Sequence, residues 1–345
     1  MKETLQTMAQ RLGISATTVS RVLAGNAEKY RISAKTQEII MNEALRCKYT
    51  PSMVARSLRT RKTNMIGLIL PSVSNKFFAD IASTVISECR DNGCTTIVMD
   101  VAEKEEFQKD CIRSLATQGV DGMIIAPCGD DPSQLEMINR EYFPVVLVDR
   151  YFRESSLSYV TANNLQGGMM AVRHLISQGH TRITCIQGVV ESIPNQKRVN
   201  GYRQAMTEAG LEANIDIRGN AFSIQNGYVE TKLLLSDHTS PRPSAIFALS
   251  NTIVLGAIKA IKESGLRIPE DISVVSFDDN IYLDYMEPPV TRVIQPVEGM
   301  AKLAVRLLFN AIGCPAEERT KSELQLATEL IRRDSVRSLN PQQKG

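Results

Sequence analysis

Short apolar runs alternate with longer segments of helical periodicity along most of this chain, from about residue 65 onward. The apolar runs are four to six residues long and almost uninterrupted, which is typical of strands buried on both faces. They are Met65–Leu70, Thr95–Met99, Gly122–Ala126, Pro144–Val148, Ile183–Gln187, Ala245–Ala248 and Val274–Phe277. The helical segments between them are Phe77–Asn92, Lys104–Gln118, Gln166–Gln178, Gln196–Ala209 and Thr252–Ser264. This alternation predicts an α/β fold in which helices cover parallel sheets.

The alternation restarts near residue 163, which predicts two similar lobes with a cleft between them. We expect a core at 63–333 that binds a ligand and forms the dimer. Its first lobe covers about 63–162 and 296–333, and its second lobe covers about 163–295. A polar tail at 334–345 follows. In open α/β sheets ligands bind beyond the carboxyl ends of the strands, and a two-lobed protein can close on them.

Polar residues directly after predicted strands are therefore candidates for ligand contacts. Asp149 and Arg150 follow one strand, Asp278 and Asp279 follow another, Ser250 and Asn251 follow a third, and Arg198 begins a helix. Such side chains can hydrogen-bond sugar hydroxyls or clamp an anionic group. Phe77 and Phe78 follow the first strand and can stack on a ring. The carboxylates suit helix caps equally well, and the two phenylalanines suit core packing, so these alternatives stay open.

The first 62 residues differ in charge from the rest of the chain. They carry 12 Lys or Arg and 4 Asp or Glu, a net charge of +8, whereas the whole chain carries +2. A basic segment on an acidic body suggests binding to a polyanion. A solvated basic tail is the alternative, but the helical periodicity of the segment favours a folded domain.

The basic segment has the pattern of a helix-turn-helix. Thr4 is placed to cap a helix whose apolar stripe ends before Gly13, and Ser15 is placed to cap a second helix that ends at Gly25. The inward positions are Leu5, Met8, Ala9 and Leu12 in the first helix, and Val19, Val22 and Leu23 in the second. Two short helices around a turn containing Gly predict this DNA-binding motif.

The second helix carries polar residues on the side opposite its apolar stripe. Ala16, Thr17, Ser20 and Arg21 lie there, and Arg21 can pair with a guanine edge in the major groove. An ordinary helical hairpin with a solvated face is the alternative.

A third helix is predicted at 33–46, with Ile39, Ile40, Ala44 and Leu45 buried. It completes a DNA-binding domain at 1–50. The segment at 51–62 is predicted to be a short hinge helix and linker, in which Leu58 is an apolar residue among basic ones such as Arg56. Apolar residues flanked by Arg or Lys are what minor-groove binders insert between base steps.

The segments LGISATTVSRVLAG, RISAKTQEII and YTPSMVARSLRT together resemble the headpiece and hinge of the lactose-repressor (LacI/GalR) family. The resemblance implies major-groove contacts for Thr17 and Arg21, intercalation by Leu58, and a variable specificity position at Ala16. The complete set of expected DNA-binding residues is Ser15, Ala16, Thr17, Ser20, Arg21, Arg31, Arg56 and Leu58. The connector at 26–32 is about three residues longer than in the best-known members, and its Lys29 and Arg31 are expected to contact phosphates.

The body also resembles this family, through RHLISQGHTRI, GLRIPEDISVVSFDD and PPVTRVIQP. The resemblance implies a core with the fold of periplasmic sugar-binding proteins. It implies effector contacts at Phe77, Phe78, Cys128, Asp149, Arg150, Arg198, Ser250, Asp278 and Gln295. Ser250 and Asn251 depart from the Asn-Asp pair of many members, and Arg150 is compatible with an acidic sugar or a phosphosugar.

Taken together, these features predict a sequence-specific transcription regulator, a repressor of carbohydrate-metabolism genes that binds a palindromic operator and responds to a sugar, sugar acid or phosphosugar. A homodimer is expected, because 334–345 has no apolar heptad for a tetramer-forming coiled coil. No cofactor, metal or membrane contact is expected. Seven cysteines without a CxxC pair and a polar amino terminus indicate a cytoplasmic protein.

Two other functions fit the sequence less well. An enzyme is disfavoured because the three histidines are scattered and no GxSxG, HExxH or P-loop motif is present. A sugar-binding receptor of a transport system would share the fold of the body, but the basic segment and the missing signal peptide argue against it.

Overall fold

The computed structural model describes residues 4–47, 49, 62–239 and 241–340. The chain divides after Thr63 into two compact units, which we call the headpiece and the core. The hinge helix expected at 51–62, with Arg56 and Leu58, lies outside the described residues except for residue 62.

The headpiece contains the three expected helices, α1 (Leu5–Leu12), α2 (Ala16–Leu23) and α3 (Ala34–Arg46). Each begins at a hydroxyl cap, Thr4, Ser15 or Ser33, whose side chain accepts a backbone N–H bond from three residues ahead. Their packed faces meet in a core whose fully buried members are Met8, Val19 and Ile40. The helix-turn-helix predicted from the sequence is therefore present.

The buried face of α3 differs from the expected one. Ile39 is 43% exposed and Leu45 is 73% exposed, whereas Ile40 and Ala44 are buried as expected. Positions 40, 43 and 44 share one side of the helix, and 39 and 45 lie off that side. Glu43 takes the remaining buried position, where it pairs with Arg11 at 2.7 Å and Arg46 at 2.8 Å.

The first sheet of the core has the strand order β11-β5-β4-β3-β1-β2, and every neighbouring pair is parallel. Its strands are β1 (Met65–Leu70), β2 (Thr95–Asp100), β3 (Gly122–Ile125), β4 (Val145–Val148), β5 (Ser158–Ala162) and β11 (Glu323–Leu326). Its helices are α4 (Lys76–Asp91), α5 (Glu105–Gln118), α6 (Ser133–Glu141) and α11 (Val297–Ala311). Separate apolar clusters fill its two faces, one under α4 and α11 and the other under α5 and α6.

The second sheet has the order β12-β10-β9-β8-β6-β7, and only β12 runs antiparallel to its neighbour. Its strands are β6 (Ile183–Ile186), β7 (Asp216–Arg218), β8 (Ala245–Ala248), β9 (Ser273–Phe277), β10 (Thr291–Ile294) and β12 (Glu329–Ile331). Its helices are α7 (Asn164–Ser177), α8 (Ile193–Glu208), α9 (Ile224–Ser236) and α10 (Asn251–Glu263). The predicted two-lobed α/β core is confirmed.

The carboxyl-terminal boundary of the lobes differs from the expected one. The chain leaves the first sheet after β11, and β12 then pairs with β10 in the second sheet. Ser335 is fully buried, accepts a bond from the Thr291 backbone N–H (2.9 Å) and donates one to the Val274 carbonyl (2.6 Å). Residues 329–340 therefore belong to the second lobe, and 334–340 are not a free tail. The paired strands have only four and three residues, too few to show a periodic pattern in the sequence.

Among the described residues, no helix is long and apolar enough to cross a membrane.

Candidate functional site

Side chains from the carboxyl ends of both sheets meet in a cleft between the two lobes of the core. The residues that line it are Asn75, Phe77, Phe78, Glu103, Asp149, Arg150, Ser192, Pro194, Arg198, Phe222, Ser250 and Asp278. The free space between them is about 20 Å³, which is room for roughly one water molecule. The cleft is thus closed to a sugar-sized ligand, which needs the lining side chains or the lobes to move apart.

Asp149 and Asp278 occupy equivalent positions in the two lobes. Asp149 directly follows β4 and Asp278 directly follows β9, and each of these strands is the fourth along the chain in its lobe. Both have left-handed backbone conformations, with φ of 63° and 72°. Asp tolerates this region better than most side chains, although it remains unfavourable. Both aspartates are buried, so the turns aim two carboxyl groups into the closed cleft.

The Asp149 carboxyl group is incompletely satisfied. Its Oδ1 atom is buried and has no hydrogen-bond partner among the described residues. Burial raises the pKa of Asp149 to about 6, because desolvation outweighs the opposing charges of Arg198 and Arg150. A ligand hydroxyl that donates to Oδ1 would compensate for this desolvation.

Asp278 has more partners. Its Oδ1 atom accepts a 2.5 Å bond from Gln295 Nε2 and lies 3.6 Å from Arg198 Nη2. Burial raises the pKa of Asp278, while Arg198 and the bond from Gln295 oppose the shift. Gln295 Oε1 is buried and has no partner among the described residues, so it can accept a further hydrogen bond.

Arg198 is held rigidly at the back of the cleft. Its Nε donates to Asn164 Oδ1 at 2.7 Å and its Nη1 to the Leu249 carbonyl at 2.8 Å. Its guanidinium lies 3.8 Å from the centroid of the Phe277 ring. These contacts leave the Nη2 end directed at Asp278 and the cleft.

Arg150 is committed to a partner that the sequence analysis missed. Its Nη1 and Nη2 donate to the two carboxylate oxygens of Glu103, at 2.7 and 2.8 Å. Phe78 and Phe222 lie 5.7 and 5.9 Å from its guanidinium. Glu103 lies three residues after the end of β2 and Phe222 four residues after the end of β7, so a rule that considers only residues directly after predicted strands does not find them.

Cys128 stands beside this ion pair. Its thiol sulfur lies 3.7 Å from Arg150 Nη1 and 3.9 Å from Glu103 Oε2. Burial raises the pKa of the thiol to about 11, so Cys128 is a neutral, weakly nucleophilic group at physiological pH.

The remaining predicted contacts have structural roles as well. Phe77 and Phe78 form an edge-to-face pair with centroids 5.1 Å apart, and they both line the cleft and belong to the apolar cluster under α4. Ser250 caps α10 by accepting a 3.2 Å bond from the Ile253 backbone N–H. Both side-chain polar atoms of Asn251 are buried without partners among the described residues, which keeps Asn251 a candidate for a ligand contact.

In the headpiece, α2 presents the residues predicted to contact DNA. Thr17 is exposed, Ala16, Ser20 and Arg21 are half-buried, and Ser15 caps the helix. The Arg21 guanidinium lies 3.7 Å from the centroid of the Tyr30 ring. Arg31 is exposed in the connector, with a positive φ of 51°.

Comparisons with known proteins agree with this geometry. The family model for the periplasmic binding protein-like domain matches residues 172–336. The HTH-type transcriptional repressor PurR of Vibrio campbellii is 34% identical, over 98% of this chain and 99% of its own length. The ribose operon repressor of Haemophilus influenzae is 33% identical, over 97% of this chain and 99% of its own. A crystal structure of a lac repressor dimer bound to operator and the anti-inducer ONPF superimposes with a TM-score of 0.85, at 25% identity, over 98% of this chain and 100% of that one.

Proposed function

The chain belongs to the LacI/GalR family of transcriptional repressors, and we propose that it represses carbohydrate-metabolism genes in response to a neutral sugar bound in the cleft. The observation that carries the proposal is the pair of buried aspartates, Asp149 and Asp278, facing the cleft from equivalent strand ends. Carboxylate oxygens accept hydrogen bonds from hydroxyl groups, the Oδ1 atom of Asp149 has no partner among the described residues, and a cleft between two lobes surrounds such a ligand.

The charges of the cleft favour a neutral ligand over a sugar acid or a phosphosugar, which the presence of Arg150 in the sequence had made compatible with the site. Three carboxyl groups, on Glu103, Asp149 and Asp278, face two guanidinium groups, on Arg150 and Arg198. Each guanidinium already lies against a carboxylate. An anionic ligand would have to displace one of these pairs in a desolvated site, which costs more than binding a hydroxyl.

The proposed assembly is a homodimer that places two copies of α2 on a palindromic operator. Supporting this, the lac repressor in the matched structure is a dimer on operator DNA, and a palindrome mirrors a two-fold axis. In each headpiece Ser15, Ala16, Thr17, Ser20 and Arg21 would meet base edges and phosphates, and Arg31 a phosphate. The repressor relatives match 97–98% of this chain, which disfavours a transport receptor. We further propose that the protein is not an enzyme. We also propose that it is cytoplasmic, because the DNA that it binds lies in the cytoplasm.

Regulation follows from the closed cleft. A sugar that fills the cleft changes the relative stability of the open and closed lobes, and it alters DNA binding only by the difference in its affinity for the two states. The coupling is reciprocal, so an effector that weakens operator binding is itself bound more weakly by the DNA complex.

The test is a thermal-shift screen of the full-length protein against neutral pentoses, hexoses and disaccharides, each paired with its phosphate and its acid. A bound sugar raises the melting temperature by mass action. We expect a neutral sugar to do so in the wild type but not in Asp278→Asn, and the same sugar to change operator affinity only in the wild type. Stabilisation by the phosphates or acids alone would refute the neutral-sugar assignment, and an unaltered response in Asp278→Asn would refute the site.

A further inference from the structure

We propose that Tyr30, in the long connector between α2 and α3, is a positioning residue that holds Arg21 ready to read a base. The Arg21 guanidinium carbon lies 3.7 Å from the centroid of the Tyr30 ring, which is the separation of a stacked cation–π pair. The inference deepens the proposed function, since it rests on Arg21 contacting a base edge.

The connector is folded so that the ring returns to α2. The Asn26 backbone N–H donates to the Arg21 carbonyl at 3.0 Å, and the Tyr30 N–H donates to the Asn26 carbonyl at 3.3 Å. The Ile32 N–H donates to the carbonyl of Ala27, which is itself buried in the headpiece core. Backbone hydrogen bonds therefore hold the turn at its start, middle and end, and they place the Tyr30 ring against Arg21.

Stacking suits an arginine that must still make hydrogen bonds. The ring covers one face of the planar guanidinium, whereas the N–H donors point outward in the guanidinium plane. Those in-plane donors are the ones that pair with O6 and N7 of a guanine. Restricting Arg21 before binding reduces the conformational entropy that it loses on DNA, so the contact favours the specific complex.

The contact contributes little to the packing of the headpiece itself. Tyr30 is 44% exposed, and the headpiece core is formed by residues such as Met8, Val19 and Ile40. Replacing Tyr30 should therefore leave the headpiece folded. This separates a positioning role from a merely structural one.

The experiment first selects an operator with the full-length wild-type protein from a randomised DNA duplex library. Affinities are then measured for that duplex and for a scrambled duplex of equal length and composition. The variants are Tyr30→Ala, Tyr30→Phe, Tyr30→Leu, Arg21→Ala and the double variant Tyr30→Ala/Arg21→Ala. Lys29→Ala is the matched control, because it changes the neighbouring connector residue and is expected to contact only phosphate.

We expect Tyr30→Ala to weaken operator binding by about two- to fivefold, the effect of an exposed cation–π contact. Tyr30→Phe should stay within about twofold of the wild type, since it keeps the ring, and Tyr30→Leu should resemble Tyr30→Ala. Binding to the scrambled duplex should not change. Lys29→Ala should weaken both duplexes alike and reduce the salt dependence. The double variant should bind no more weakly than Arg21→Ala, since Tyr30 acts through Arg21.

Each failure has a distinct meaning. If Arg21→Ala binds the operator as tightly as the wild type, the base contact in the proposed function is wrong, and the inference falls with it. If Arg21→Ala weakens binding but Tyr30→Ala has no effect, or adds its full effect in the double variant, Tyr30 does not position Arg21. Melting temperatures check folding. If Tyr30→Ala is unfolded, the comparison of Tyr30→Phe with Tyr30→Leu decides, and equal affinities would overturn the inference.

Discussion

Arg150 and Glu103 form a bidentate ion pair beside the cleft, with N···O distances of 2.7 and 2.8 Å. Glu103 is brought there by the turn after β2, in which Ala102 and Glu103 both have positive φ angles, of 50° and 59°. This backbone conformation is unfavourable for side chains other than Gly, so the surrounding structure must hold it in place. The buried guanidinium of Arg150 is neutralised by Glu103, and in the proposed site the effector would donate to the unpartnered Oδ1 atom of Asp149.

Glu103→Gln should widen effector selectivity toward anions. Removing the carboxylate frees the charge of Arg150, which can then make charge-assisted bonds to a phosphate or an acid group. We expect the phosphate or acid of the cognate sugar to bind at least about tenfold more tightly than to the wild type, and the neutral sugar to change much less. Isothermal titration calorimetry measures both. Glu106→Gln, an exposed change of the same charge, is the control. Equal responses of the two variants would contradict the role of Glu103.

Arg198→Ala should destabilise the core strongly. It leaves the buried Asp278 carboxyl group without its arginine partner, and it removes the bonds to Asn164 and Leu249. Breaking a buried pair in this way costs about 3–5 kcal/mol. The control is Arg173→Ala, which breaks an exposed ion pair with Glu208 and should cost less than about 1 kcal/mol.

The two arginine variants are compared by the midpoints of their chemical denaturation curves, measured on the full chain. Adding Asp278→Asn to Arg198→Ala should recover part of the loss, because the unpaired charge is then absent. Similar midpoints for Arg198→Ala and Arg173→Ala would show that the cleft tolerates an unpaired Asp278.

Effector affinity should fall as the solution is acidified. Asp149 has a pKa of about 6 in the folded protein, and in the proposed site a sugar hydroxyl that donates to it would bind the ionised form. We expect binding about fourfold weaker at about pH 5.5 than at about pH 7.5, and Asp149→Asn should flatten this profile. Any remaining slope belongs to Asp278, whose pKa is also raised. An affinity that is unchanged or stronger in acid would mean that the carboxylate does not accept from the effector.

The raised pKa of Asp149 also makes the stability of the fold depend on pH. Because the folded pKa of Asp149 lies above its ordinary value of 3.8, ionisation opposes folding. The cost is absent below about pH 4 and fully present above about pH 6. Without effector, Asp149→Asn should therefore melt at a higher temperature than the wild type near neutral pH, and this gain should vanish in acid. A lower melting temperature at both pH values would contradict the desolvation cost.

Part of the site follows from the sequence because topology fixes it. The carboxyl ends of parallel strands share one edge of a sheet, so the aspartates after the β4 and β9 runs could be placed at the cleft without coordinates. Glu103 could not be paired with Arg150 in this way. Their contact depends on two consecutive left-handed residues in an irregular turn, a conformation that Ala102 and Glu103 do not signal.

The strands of the fold also differ in how well the sequence predicts them. Seven strands, β1 to β4, β6, β8 and β9, carry short apolar runs and were predicted nearly to the residue, whereas β5, β10 and β11 were not predicted. The strands β7 and β12, also missed, have three residues each, all partly or fully exposed. Edge strands of this kind have no period-2 or buried pattern, and only the pairing partner defines them. Tyr30 was missed for a similar reason, since nothing local links it to Arg21.

The two helices on one face of the second sheet should tolerate almost no added atoms where they cross. Gly227 of α9 and Gly256 of α10 let the helix backbones touch, and a Cβ built on either would lie 2.0 Å from a carbonyl oxygen of the other helix. Gly256→Ala therefore forces the helices apart, and we expect a loss of about 3 kcal/mol. Gly299→Ala in α11 is the matched control, because the nearest atom to its Cβ would belong to the movable side chain of Leu326, at 3.1 Å, and Pro296 would lie at an ordinary contact distance of 3.9 Å.

The control should be nearly neutral, since helix propensity favours Ala over Gly by about 1 kcal/mol and offsets a small repacking cost. The crossing also matters for the effector, because Phe222 precedes α9 and Ser250 caps α10, and both line the cleft. Gly256→Ala should thus lower both the melting temperature and the affinity for the neutral sugar, whereas Gly299→Ala should change neither by much. If Gly256→Ala melts like the wild type, the helices separate at little cost, and their close packing is not what fixes this wall of the cleft.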